Sequence, residues 1–138
     1  MQPILYSDYL AAAISRLSAL LESRPESYAA GLTVSNQVPS GAERAVVLTR
    51  SPGGGTTNTV RRSFATVDVY TRDEAEAVDL INLVLALCAS RGPGGMADGR
   101  PFTAAIVNGG PNDDFAATGY FRQTAELELH HRGSQLAV

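Results

Sequence analysis

The sequence predicts an α+β domain, with a single mostly antiparallel sheet of about five strands and two helices packed on it. Three observations lead there. Two segments carry apolar residues at helical spacing, five shorter stretches read as strands, and the order is helix, three strands, helix, two strands. Successive strands are joined by connections short enough for antiparallel pairing. At 138 residues, 1–138 reads as one domain, long enough to bury a core.

The first helix lies in SDYLAAAISRLSALLES, where Leu10, Ile14, Leu17 and Leu21 recur with helical period and Ala13 and Leu20 stand beside them. Ser7 or Asp8 can cap its start, and Pro25 stops it soon after its end. A strand is expected around Leu32 to Gln37, then a turn at Pro39-Ser40-Gly41, then a short strand in RAVVLTR with Val46, Val47 and Leu48. SPGGGTTNTVRR, Ser51 to Arg62, reads as a mobile strand-to-strand loop; its glycines permit the turn, and its threonines and Asn58 solvate it.

In RRSFATVDVYT, Ala65, Val67 and Val69 share one strand face, while Phe64, Thr66, Asp68 and Tyr70 share the other. Thr71 and Glu74 form the capping-box pattern T-x-x-E ahead of the second helix, RDEAEAVDLINLVLALCAS, which Gly92-Pro93 ends. GPGGMADGRP is a loop, FTAAIVN a short strand and GGPNDDFAATG a second loop. The last strand is YFRQTAELELHHR, Tyr120 to Arg132, with Phe121, Ala125, Leu127 and Leu129 on one face. Arg122, Thr124, Glu126, Glu128 and His130 take the other.

Hydrophobic residues make up 44% and charged residues 18%, the balance of an ordinary globular chain rather than a disordered one. No apolar run approaches the ~20 residues that span a bilayer, and MQPILYSDYL has no signal-peptide pattern. A single cysteine, Cys88, leaves no internal disulfide and fits a reducing compartment. All 11 basic residues are arginine, which excludes a lysine Schiff base and a Walker lysine. The net charge of -3 does not favour non-specific nucleic-acid binding.

Two features exceed what a self-contained subunit needs. Ala77, Val78, Ile81, Val84, Leu85 and Cys88 already form an apolar arc on the second helix. Leu80 and Leu87 extend it, and Leu83 falls among polar neighbours. The last strand spans thirteen residues, about 40 Å at ~3.3 Å per residue, against a typical ~5–6 residues. Leu80, Leu83, Leu87, Phe121, Leu127 and Leu129 are therefore the candidate subunit interface. A longer sheet with a greasy local core is the alternative.

The residues show no constellation for catalysis, cofactor or metal. The glycine-rich stretch lacks the lysine and the following helix of a phosphate loop, and neither it nor GPGGMADG opens a helix as a dinucleotide fingerprint must. His130 and His131 are adjacent in a strand, so they point to opposite faces and read as surface or edge residues. Cys88 sits on the core arc. Asp113-Asp114 lacks the EF-hand pattern and reads as a solvated loop. Glu126 and Glu128, roughly 7 Å apart, share a face with Arg122 and read as a charge row. Arg61-Arg62 has no aromatic platform beside it.

RRSFATVDVYTRDEAEAVDLINLVLAL, AAIVNGGPNDD and YFRQTAELELHHRG together resemble the tail terminator proteins of siphophages, especially phages of actinobacteria. The likeness covers roughly residues 5 to 133. It implies an α+β subunit that assembles with itself into a ring, usually a hexamer. Such a ring caps the tail tube, halts polymerisation of the major tail tube protein and presents a surface to the head–tail connector protein.

The implied place is the virion's tail–neck junction, reached from the host cytoplasm, with no membrane, no specific nucleic-acid binding and DNA passing through the lumen. The family has no catalytic residues to carry over. In a ring, Gly53, Gly54, Gly55, Thr56, Thr57, Asn58, Arg61 and Arg62 become a candidate lumen or tube-contact loop. Two other readings stay open. One is another neck protein, for head closure or tail-to-head joining. The other is a small α+β enzyme or ligand-binding module using Glu126, Glu128 and Arg122.

Overall fold

The computed structural model describes residues 3–57, 59–114 and 119–136. Its elements are β1 (Ile4–Leu5), α1 (Tyr9–Glu22), a 3-10 turn (Ser27–Ala29), β2 (Thr33–Ser35), β3 (Arg44–Thr56) and β4 (Val60–Thr71). They continue with α2 (Glu74–Ala89), β5 (Phe102–Asp114), β6 (Phe121–Arg132) and β7 (Ser134–Gln135). The fold is α+β. A 5-stranded sheet runs in the order β2-β3-β4-β6-β5, and β1 and β7 form a separate ribbon. Pairing is antiparallel except for β2, which lies parallel to the start of β3.

Strand alternation decides what the helices cover. Val46, Leu48, Ala65, Val67, Val69, Ala125, Leu127 and Leu129 point to one face. There they meet Leu10, Ala13, Leu17 and Leu21 of α1 and Ala77, Leu80, Ile81, Val84, Leu85 and Cys88 of α2. Phe102 and Met96, the latter from the loop after α2, are fully buried in the same core.

Both helix starts are capped by aspartate. The Asp8 carboxylate accepts from the amides of Leu10 at 3.0 Å and Ala11 at 3.2 Å, as the sequence allows. At α2 the cap is Asp73, which accepts from the Glu76 amide at 3.1 Å, and Thr71 is not the cap. Thr71 remains in the sheet, paired with Arg44 on one side and Phe121 on the other, so the helix starts two residues later than T-x-x-E implied.

Several boundaries also differ. Gly53 to Thr56 belong to β3 and Gly109 to Asp114 to β5, so neither stretch is a loop. Thr57 lies just beyond β3 in the turn, and Asn58 falls outside the described residues. The length of β6 needs no neighbour. It pairs residue by residue with β4 from Phe121 to Arg132, and with β5 on its other side. Leu80, Leu127 and Leu129 are 0%, 1% and 0% exposed, so this subunit's own core consumes them and they leave the candidate interface. Leu83 and Leu87 are half-buried against that core, and Phe121 is exposed.

Candidate functional site

With both helices on one side, the other face of the sheet is built from the even-numbered positions of β4 and β6 and their neighbours. Across the strands run the rows Ser51–Phe64–Glu128–Ile106 and Thr49–Thr66–Glu126. Two more follow, Val47–Asp68–Thr124–Asn112 and Ala45–Tyr70–Arg122–Asp114. At the last rows Ala45, Val47 and Tyr70 form a small buried cluster under Tyr120. The Tyr120 hydroxyl donates to the Ala42 carbonyl at 2.7 Å and accepts from the Gly41 amide at 3.1 Å, which folds the loop before β3 over that end.

Apart from the exposed Arg62, the charged side chains on this face are tied to neighbouring side chains. Glu126 accepts from Ser51 Oγ at 2.9 Å and from Thr66 Oγ1. Glu128 accepts from Asn108 Nδ2 at 2.9 Å and lies 2.6 Å from His130 Nε2. The Asn108 and His130 hydrogen bonds, with the Arg62 charge nearby, hold the Glu128 carboxyl below the usual carboxylate range. Arg122 bridges Asp68 at 3.1 Å and Asp114 at 3.4 Å. On the opposite parity, Asp113 accepts from Gln123 Nε2. Glu126, Glu128 and Arg122 thus share a face without converging on a common point, and act as ties between strands. Among the described residues, no three His, Cys, Asp or Glu side chains gather as a metal site requires.

The hairpin end is a shaped strand tip. Ser51 pairs with Phe64, but Gly55 pairs with Arg62, so Pro52, Gly53 and Gly54 bulge opposite Ser63. Gly54 has φ +103, and a Cβ there would stand 2.1 Å from the Arg62 carbonyl oxygen. A Cβ on Gly53 would meet the Phe64 ring at 2.7 Å. Arg61 Nε donates to Thr56 Oγ1 at 3.0 Å, and its guanidinium sits 4.1 Å from the centroid of the Tyr6 ring. Arg62 is exposed on the open face opposite His130, beside a shallow groove lined by Gly55, Thr56, Thr57 and Val60. The amide of Thr57 donates to the Val60 carbonyl at 2.9 Å and closes the turn.

The two histidines do diverge, but only His130 is near the surface. His131 is 1% exposed, stacked on Tyr9 and edge-on to Tyr6 and Phe102, with Nε2 3.0 Å from Ser63 Oγ. The alternation that buries Leu127 and Leu129 continues to His131, and that signal was available in the sequence. Cys88 is buried in α2 as expected, and burial pushes its thiol up to about 12.

The sheet has two unlike free edges. Beyond Val47, β3 has β4 as its only strand partner among the described residues. β5 has only β6, and it carries three register shifts where β3 has one. No described helix is long and apolar enough to cross a membrane. No protein-family model matches this sequence, and no curated protein matches it.

Proposed function

We propose that this protein is a structural subunit of a phage tail, which assembles into a ring, usually of six copies, and caps the tail tube. One ring face meets the last layer of major tail tube protein, and the other is offered to the head–tail connector at the tail–neck junction. The mechanism is steric: the capping face accepts the tube end, while the opposite face lacks the tube's polymerising surface. The resemblance of three sequence stretches to siphophage tail terminators supplies the identity of the assembly.

The observation that carries a ring is the pair of unlike free edges on one long sheet. An unpaired edge is a template for another strand. Cyclic assembly requires two different complementary surfaces on each subunit. The β3 edge beyond Val47 and the β5 edge lie at opposite ends of the strand order and are two unlike candidates for those surfaces. The open face favours architecture over catalysis as well, because its carboxylates are held by neighbouring strands rather than aimed into a cleft.

The test is assembly. Light scattering and electron microscopy of the purified protein, alone and with tube protein, are expected to show closed rings or capped tubes. Particles made without this protein are expected to carry overlong tails. Monomers under both conditions would overturn the ring. Tails of normal length that fail to attach would reassign the protein to head–tail joining.

A further inference from the structure

His131 is an ionisable side chain where the β1–β7 ribbon meets the end of the sheet. Around it stand Tyr6 from the segment after β1, Tyr9 of α1, Phe102 of β5 and Ser63 of β4. Tyr6 closes the site, sandwiched between the imidazole at 5.7 Å and the Arg61 guanidinium at 4.1 Å. The ribbon itself is short. It consists of the pairs Ile4–Gln135 and Leu5–Ser134, with one more bond from the Leu136 amide to the Pro3 carbonyl at 2.9 Å. The Tyr6 hydroxyl is buried without a hydrogen-bond partner among the described residues, so ring contacts carry its docking.

We propose that His131 is the pin of a proton-sensitive lock: the neutral imidazole holds the β1–β7 ribbon against the end of the sheet, and the imidazolium releases it. The charges facing the site make protonation costly in the closed form. Arg61 on β4 lies beside it, and neighbouring His130 adds to the repulsion when charged. The Asp8–Arg50 pair on the outer side of Tyr9 is closed on itself at 2.6 Å. No carboxylate pairs with His131 among the described residues. Burial first, then Arg61 and His130, hold the imidazole below its ordinary value.

The sign follows from linkage. The lock is at full strength above the unfolded value of 6.5 and weakens as pH falls from there towards the depressed folded value. Opening would widen the groove that Ile4 and Gln135 of the ribbon form with Val60 and Gly133 at the end of the sheet. This inference goes beyond the ring reading and stands whether or not the subunit caps a tube.

The experiment is amide hydrogen exchange by NMR between about pH 7.5 and 5, corrected for intrinsic exchange, with the His131 Hε1 signal followed in the same sample. Protection of the Leu5 and Leu136 amides is expected to fall by up to about 30-fold as His131 takes its proton, the limit for a site whose free imidazole titrates near 6.5. Val67 and Leu127 in the sheet centre should stay protected. His131→Phe, which fills the site but cannot charge, should keep the ribbon protected at both pH values. The proposal is overturned if His131 titrates in the native protein while ribbon protection stays constant. It is equally overturned if His131→Phe shows the same loss, or if Val67 and Leu127 lose protection in parallel. Should His131→Phe not fold, the wild-type comparison of Hε1 titration with ribbon exchange decides alone.

Discussion

Gly54→Ala and Gly55→Ala differ by one position, and the structure assigns them opposite fates. At Gly54 an L-residue must adopt φ +103, with its Cβ 2.1 Å from the backbone oxygen of Arg62. The strained backbone costs roughly 1–2 kcal/mol. A carbonyl cannot swing aside as a side chain can, so β3 and β4 must part there, at about 0.5–1.5 kcal/mol for each hydrogen bond lost. Gly54→Ala should therefore destabilise by about 2–4 kcal/mol, up to the free energy at which the hairpin tip melts locally.

At Gly55 nothing lies within 4 Å of the added Cβ and φ is not positive. That substitution should be neutral or stabilising by up to about 1 kcal/mol, through a less flexible unfolded chain. Urea titration reads the pair, with equal m-values marking an unchanged unfolded state. Exchange of the Thr57 and Arg62 amides catches a tip that melts alone. If both variants share the wild-type midpoint and the wild-type protection at these amides, the stretch is a mobile loop and the bulge argument fails.

Three further outcomes are expected. Leu80→Ala and Leu127→Ala should each lower the stability of the isolated subunit by about 2–5 kcal/mol, whereas Phe121→Ala should cost under about 1 kcal/mol and act, if at all, on assembly; similar losses at all three in chemical denaturation would refute the division between core and surface. Cys88 should react with a thiol reagent only as fast as the protein unfolds, since its thiol is buried and pushed up to about 12, and rapid labelling of native protein would contradict this. Asp8→Ala should lower Tm at neutral pH, because backbone donors at Ala11 and Leu10 and the Arg50 charge hold the Asp8 carboxyl below its ordinary value. That contribution is present above the unfolded value and lost as pH falls through the folded one, so the difference from wild type should vanish at low pH; a gap that persists there would refute the assignment.

The candidate interface shows why part of the site was illegible in the sequence. Helical and strand periodicity reports which residues share a face, not how many layers lie on that face. Leu80 looked surplus because one helix against one sheet seemed sufficient, but β4, β5 and β6 together offer α2 a wider floor and take Leu80, Leu127 and Leu129 inside. Phe121 has the same parity as Leu127 but lies at the strand's end, where it is left 45% exposed. Glu126, Glu128 and Arg122 were correctly placed on one face, yet their roles as ties depend on Ser51, Thr66, Asn108 and Asp68, residues brought alongside only by register.

Local chemistry determined much of this protein. Apolar spacing marked both helices, Asp8 and Pro25 bounded the first, and alternation assigned the faces of β4 and β6, because each of these signals acts within a few residues. Tertiary structure decided the rest, where partners far apart in the chain compete with local preference. Glycine and proline weaken a strand in isolation, but β4 and β6 offer hydrogen-bonding rows long enough to draw Gly53–Thr56 and Gly109–Asp114 into β3 and β5. Pairing on both flanks kept Thr71 in the sheet and passed the cap to Asp73. Three aromatic rings from separate elements closed over His131 and turned a residue that read as surface into the most enclosed ionisable group of β6.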